Sequence, residues 1–247
     1  MVEAVPTPLR VRQLDRARDK LIVALDVAAV SHALELVERL GEAVSFYKIG
    51  LHLQFDRELH ALFDHLLLKQ KRIFVDFKAF DIPATVEGAV RMAASLGIDF
   101  VTVVGQRPIV QAALRARGNA TLKILAVTLL TGMNQEDMQR EYNTALTTKE
   151  FIRRRAKSAA ETGCDGVISS AREAALIRDS VDRSDFLIVT PGIRLPGAMQ
   201  DDQKRVMTPY DAISCGADYI VVGRPIVKSA DPAAAAAQIL ADMDRAS

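Results

Sequence analysis

Short runs of β-branched and aliphatic residues alternate along the chain with longer stretches whose apolar positions recur at helical spacing. The runs predict strands near Leu21–Asp26, Ser45–Ile49, Arg72–Lys78, Phe100–Val104, Leu122–Thr128, Gly166–Ser169, Phe186–Thr190 and Tyr219–Gly223. The stretches between them predict helices near Ser31–Leu40, Arg57–Lys69, Pro83–Leu96, Ile109–Arg117, Lys149–Thr162, Ala171–Asp179, Pro209–Cys215 and Pro232–Asp244. Ser31 is placed to cap the first helix, with Glu35 near capping-box range. Pro83 and Pro232 suit first-turn positions, with Asp81 and Asp231 as nearby acceptors. Gly97, Gly118 and Gly163 stand where helices should stop.

Strands and helices in strict alternation fit a (β/α)8 TIM barrel, an α/β fold whose apolar strands are covered on both sides. An open doubly wound sheet would carry a glycine-rich turn after its first strand, and LIVALDVAAV has none. The 247 residues match the size of one such barrel and show no linker or composition shift. The expected organisation is a single barrel over residues 1–247, with residues 1–20 an N-terminal extension that packs as a short extra helix at the far end. Two connections are too long for plain turns, about Leu129–Thr148 and Pro191–Thr208. Both follow strands and so lie at the C-terminal face, where barrel enzymes hold their sites. The first is either a lid or an insertion. The second, with Gly192, Arg194, Gly197, Gln203 and Lys204, reads as a binding loop.

Composition narrows the function. The charges nearly cancel, 32 Lys+Arg against 31 Asp+Glu, which argues against nucleic-acid binding. Cys164 and Cys215 form no CxxC and read as packing residues in a reducing, cytoplasmic setting. No apolar run reaches the roughly 18 residues of a membrane span, and the N-terminus has no signal-peptide core. His32, His52, His60 and His65 form no HExxH-type pair, so no metal is expected. Arg153–Arg155 reads as a solvated helix face, and Met133 and Met138 as loose loop packing.

The informative residues are charges at strand ends. Asp26 closes the first strand, Lys48 lies near the end of the second, and the third gives VDFKAFDIPAT with Asp76, Lys78 and Asp81. Side chains two apart on a strand share a face, so Asp76 and Lys78 point together. Burying charges costs several kcal/mol each unless they are paired. Interleaved Lys and Asp at one mouth neutralise one another and make a preorganised electrostatic site.

These motifs resemble those of the orotidine 5′-monophosphate decarboxylase family. D-x-K-x-x-D-I-P-x-T is matched by Asp76, Lys78, Asp81, Ile82, Pro83 and Thr85; ALD, K-x-G, PGIR, DQKR and VGR follow in order at the right strand ends. The resemblance runs from about Leu21 to Ala230. It implies a cofactor-independent decarboxylation in which Lys78 protonates C6 of the pyrimidine. Asp76 sits by the departing carboxylate, Lys48 joins the charge row and touches the ribose, and Asp26 binds a ribose hydroxyl. It further implies a homodimer in which Asp81 and Thr85 reach the partner's site, with Thr131 contacting the nucleotide and Arg194, Gln203, Gly223 and Arg224 holding the 5′-phosphate. The sequence departs from the family's pattern at Ala79, Phe80, Ala84, Val104 and Gly132, and Gly132 provides no hydroxyl for the pyrimidine. Two alternatives stand beside this: a Mg²⁺-dependent sugar-phosphate decarboxylase of the same superfamily, which carries an acidic residue in place of Lys48, and a non-catalytic nucleotide-binding barrel.

Overall fold

The computed structural model describes residues 17–195 and 206–246. Eight strands, β1 (Leu21–Ala24), β2 (Phe46–Gly50), β3 (Arg72–Ala79), β4 (Phe100–Val104), β5 (Lys123–Val127), β6 (Gly166–Ile168), β7 (Leu187–Thr190) and β8 (Tyr219–Val222), close into a parallel barrel in chain order. Around it run α1 (Ala17–Lys20), α2 (Val30–Leu40), α3 (Leu59–Leu68), α4 (Pro83–Ser95), α5 (Arg107–Arg117), α6 (Gln135–Glu141), α7 (Thr148–Thr162), α8 (Ala174–Ser180), α9 (Pro209–Ser214), α10 (Arg224–Val227) and α11 (Pro232–Asp244). The expected architecture holds.

The two-residue period of each strand divides the core in two. One face packs outward against the helices through Val23, Tyr47, Ile49, Ile73 and Val103. The other fills the barrel with Ile22, Phe46, Phe74, Phe100, Leu125, Val189 and Tyr219. Phe46, Phe100 and Tyr219 begin their strands and meet edge to face, with Phe46–Phe100 and Phe100–Tyr219 centroids 5.0 and 5.1 Å apart. The Arg72 guanidinium lies 4.0 Å over the Phe46 ring. This end is a solid floor.

A short motif recurs along that floor. Gly97, Gly163 and Gly216 end helices with φ of 72°, 92° and 98°, a left-handed conformation that costs glycine little. Each is followed by a partly or fully apolar residue and then an aspartate that immediately precedes the next strand. Asp99 accepts the Ile73 N–H at 2.9 Å, Asp165 the Ile124 N–H at 2.9 Å and Asp218 the Ile188 N–H at 2.7 Å. Each also pairs with a cation: Arg72, Arg117 with Lys123, and Arg178 respectively.

Several local expectations are corrected. Ser31 does not cap α2, which begins at Val30; the Val30 N–H is taken at 2.9 Å by Asp56 from the β2–α3 connection. Asp81 is the expected acceptor beside Pro83, taking the N–H of Ile82, the N-cap residue of α4, at 2.6 Å. Asp231 does cap α11, accepting from Ala234. The first long connection folds into α6, started by a capping box between Asn134 and Asp137. Met138 on that helix is 0% exposed and belongs to the outer core, so it is not loosely packed. Arg155 is no solvated residue: its guanidinium lies 5.3 and 5.6 Å from the rings of Phe151 and Tyr142, while Arg153 and Arg154 pair with Glu150. Cys164 is fully buried, as expected, and burial pushes its thiol up to about 11. Of the N-terminal extension, residues 17–20 form α1 and residues 1–16 lie outside the described part.

Candidate active site

Above the apolar filling, the inward positions of β1 to β3 become charged. Ile22 and Ala24 lead to Asp26, Phe46 leads to Lys48, and Phe74 leads to Asp76. Alternation therefore carries three charges to one mouth. Lys48 Nζ stands 3.3 Å from Asp26 Oδ1 and 3.4 Å from Asp76 Oδ2, and Lys78 Nζ stands 3.0 Å from Asp76 Oδ1. The result is an unbroken row, Asp26–Lys48–Asp76–Lys78. Lys48 is only 8% exposed, so the row survives because each charge has an opposite neighbour. Burial pushes the Asp76 carboxyl upward, but Lys48 and Lys78, with hydrogen bonds from Lys78 and Thr102, outweigh it and hold the group below the usual carboxylate range.

Lys78 and Asp76 do share a face, though not by plain alternation. Val75 pairs with Val101 and Ala79 with Val103, so four steps of β3 span two steps of β4. At this bulge Lys78 has φ of 51°, in the left-handed region that a lysine rarely occupies. Its N–H donates to Thr102 Oγ1 at 2.9 Å, and that hydroxyl donates to Asp76 Oδ1 at 2.8 Å.

Gly50, the glycine of K-x-G, has a packing role that the sequence pattern did not give. A Cβ there would lie 3.1 Å from both Asp26 Oδ1 and Lys48 Nζ. A side chain there would crowd that ion pair, and the two charged groups would have to give by a few tenths of an ångström.

The row forms one wall of a cavity of about 230 Å³. Val127, Leu129, Ile168 and Val221 give an apolar surface, Thr131 comes from the first long connection, and Arg194, Gly223 and Arg224 lie on the β7–β8 side. Arg194 is buried, and its loop is tied at both ends by a parallel bridge between Ile193 and Met207. Charged groups at one side, cations at another and apolar surface between suit a flat polar ring joined to an anionic group. Among the described residues no cluster of three His, Cys, Asp or Glu could hold a metal ion.

Residues 19–239 match the model of the "Orotidine 5'-phosphate decarboxylase / HUMPS family". The chain is 49% identical over 219 residues to an orotidine 5′-phosphate decarboxylase of Methylococcus capsulatus, covering 88% of this chain and 89% of that one. It is 50% identical over 228 residues to one from Ruegeria pomeroyi, covering 92% and 95%. The chain belongs to the orotidine 5′-phosphate decarboxylase family. A crystal structure of the decarboxylase from Lactobacillus acidophilus superposes with a TM-score of 0.78 at 34% identity, over 91% of this chain and 98% of that one.

The structure gathers eight of the expected residues around one cavity: Asp26, Lys48, Asp76, Lys78, Thr131, Arg194, Gly223 and Arg224. Asp81 and Thr85 are not among its lining residues; both are exposed at the start of α4. Gln203 lies outside the described residues. Sequence reasoning missed Thr102 and met Gly50 only as the glycine of K-x-G, although each sits an even number of positions from an inward-facing neighbour, Phe100 and Lys48.

Proposed function

We infer that the chain converts orotidine 5′-monophosphate to UMP and carbon dioxide by direct electrostatic stabilisation of the departing electron pair. The C6–carboxylate bond breaks, the pair stays on C6, and Lys78 Nζ delivers the proton that completes the C6–H bond. The amine left behind is reprotonated from solvent. The observation that carries this reading is the Asp26–Lys48–Asp76–Lys78 row at the cavity wall, with its four charges joined at 3.0 to 3.4 Å.

Asp76 stays ionised and stands where the substrate carboxylate would be repelled, while Lys48 and Asp26 are placed for the ribose. The Arg194 and Arg224 guanidinium groups, the Gly223 N–H and Gln203 hold the 5′-phosphate, which gives binding energy remote from C6. Thr131 contacts the nucleotide. The reading uses no metal and no cofactor. Lys48, an ammonium within 3.4 Å of both Asp26 and Asp76, occupies the place among the carboxylates that the Mg²⁺-dependent alternative would need for its cation.

The active form is a homodimer, with Asp81 completing the partner's catalytic set and Thr85 its substrate-binding set. What supports this is their exposure beside Phe80 and Ile82, which are 70% and 67% exposed on the same segment. No described helix is long and apolar enough to cross a membrane, and a cytoplasmic nucleotide enzyme is the setting proposed.

The test is loss of orotidine monophosphate absorbance with purified protein in EDTA. Turnover is expected in the parent. In Lys78→Ala it should fall by about 10⁴-fold or more while UMP still binds. Ordinary turnover by Lys78→Ala would remove Lys78 from the chemistry.

A further inference from the structure

We propose that Thr102 is a positioning residue that sets where the Lys78 ammonium stands; the proposal rests on the reading of Lys78 as proton donor. Lys78 is one of few non-glycine residues with positive φ among those described, at 51°. A side chain in that region is held against a local preference, and it stays there only if the surroundings fix it. The bulge between Val75 and Ala79 takes this part of β3 out of the regular ladder with β4. The Lys78 N–H is satisfied instead by Thr102 Oγ1, at 2.9 Å.

A hydroxyl has one proton to give and two lone pairs to receive. Thr102 uses both kinds. It accepts from the Lys78 backbone and donates to Asp76 Oδ1 at 2.8 Å, the same oxygen that holds Lys78 Nζ at 3.0 Å. One side chain thus ties the backbone of the proton donor to the carboxylate that steers its ammonium. Thr102 is 2% exposed, so water is poorly placed to take over these bonds. Its branched Cβ also restricts the hydroxyl to few rotamers. Lys48 on the other side reaches Asp76 through Oδ2, at 3.4 Å. With the hydroxyl gone, Asp76 would keep its ion pairs but lose the bond that fixes its orientation about Oδ1, and β3 would lose the contact that holds residue 78 at positive φ.

Thr102→Val keeps the shape and removes both bonds. The phosphate and ribose contacts lie elsewhere, so kcat is expected to fall by about 100-fold, as for a small misplacement of a reacting group, with KM for orotidine monophosphate within about threefold. Thr102→Ser, which restores the hydroxyl, should return kcat to within about fivefold of the parent. A crystal structure of Thr102→Val should show residue 78 out of the left-handed region or its Nζ moved off Asp76 Oδ1. If Thr102→Val does not fold, Thr102→Ala against Thr102→Ser gives the same contrast. A parent-like kcat in the hydroxyl-free variants, or a loss confined to KM, overturns the proposal. Lys78→Ala is measured alongside: its inactivity with parent-like Thr102→Val defeats the role of Thr102 alone, whereas its activity defeats the reading of Lys78 itself.

Discussion

At the N-terminal rim, Asp99, Asp165 and Asp218 each accept a backbone N–H from the preceding strand and pair with an arginine. At the C-terminal rim, Asp26 and Asp76 pair with lysine ammonium groups, and Asp76 also accepts from one hydroxyl. The ions are alike; their second partners differ. A carboxylate locked to a main-chain N–H pins one strand beside the next and has little freedom to answer a ligand. A carboxylate facing lysines leaves donors that a substrate can recruit, because each ammonium has three protons in a compact, rotatable head. The floor behind the first group is filled with aromatic rings, whereas the second group borders a cavity of about 230 Å³. One rim uses charge to fix the fold. The other, in the proposed function, stores charge for chemistry, and barrel folds in general keep those tasks at opposite ends.

The sharpest way to break the comparison is to exchange the readouts. Lys78→Ala, at the upper rim, should cost at least about 10⁴-fold in turnover, with unfolding midpoints little changed. Asp165→Ala, at the lower rim, strands Arg117, Lys123 and the Ile124 N–H together. It should cost about 2–3 kcal/mol of stability in urea denaturation, with turnover per folded molecule kept. A large loss of kcat in Asp165→Ala, without unfolding, would mean that the rims are coupled. Gly50→Ala is a finer probe. Its Cβ would press on Asp26 Oδ1 and Lys48 Nζ at 3.1 Å, so a drop of roughly tenfold in kcat/KM is expected, with a stability change under about 1 kcal/mol.

The barrel itself was legible because strand and helix periods are local properties, repeated eight times along the chain. The charged row was legible for the same reason: Asp26, Lys48 and Asp76 each continue an inward-facing strand position. What period two could not give is the bulge, since a register shift depends on how β3 meets β4. That is why Asp76 and Lys78 were rightly paired on a face, but for an incomplete reason, and why Thr102 went unnoticed. Caps failed where the acceptor came from afar, as with Asp56 at the start of α2, 26 residues from Val30. Met138 and Arg155 were misplaced because α6 and its packing arise from tertiary contact within a connection that looked like loop. The recurring glycine–x–aspartate motif was in plain sight at Gly97, Gly163 and Gly216, but its meaning lies in backbone N–H groups of a different strand, which no spacing displays.

The smallest expected effect concerns pH, and it separates the rims by titration. Asp76 faces Lys48 from β2, Lys78 from its own strand and Thr102 from β4, with Asp26 behind Lys48. Its carboxyl lies below the usual range in the folded chain, against about 3.9 when unfolded. A depressed carboxylate contributes stability that is fully present above the unfolded value and is lost as pH falls through the folded one. In Asp76→Asn that contribution is absent at every pH, whereas the carboxylates of the lower rim are present in both proteins and cancel in the difference. The stability gap between parent and Asp76→Asn should therefore stay constant from pH 8 to about 5 and shift against the parent only below about pH 4, where denaturation curves at closely spaced pH values would detect it. A gap that changes between pH 5 and 7 would mean that burial wins over the two lysines, that Asp76 takes up a proton near neutrality, and that the upper rim does not hold its charges in the alternation on which the proposed chemistry depends.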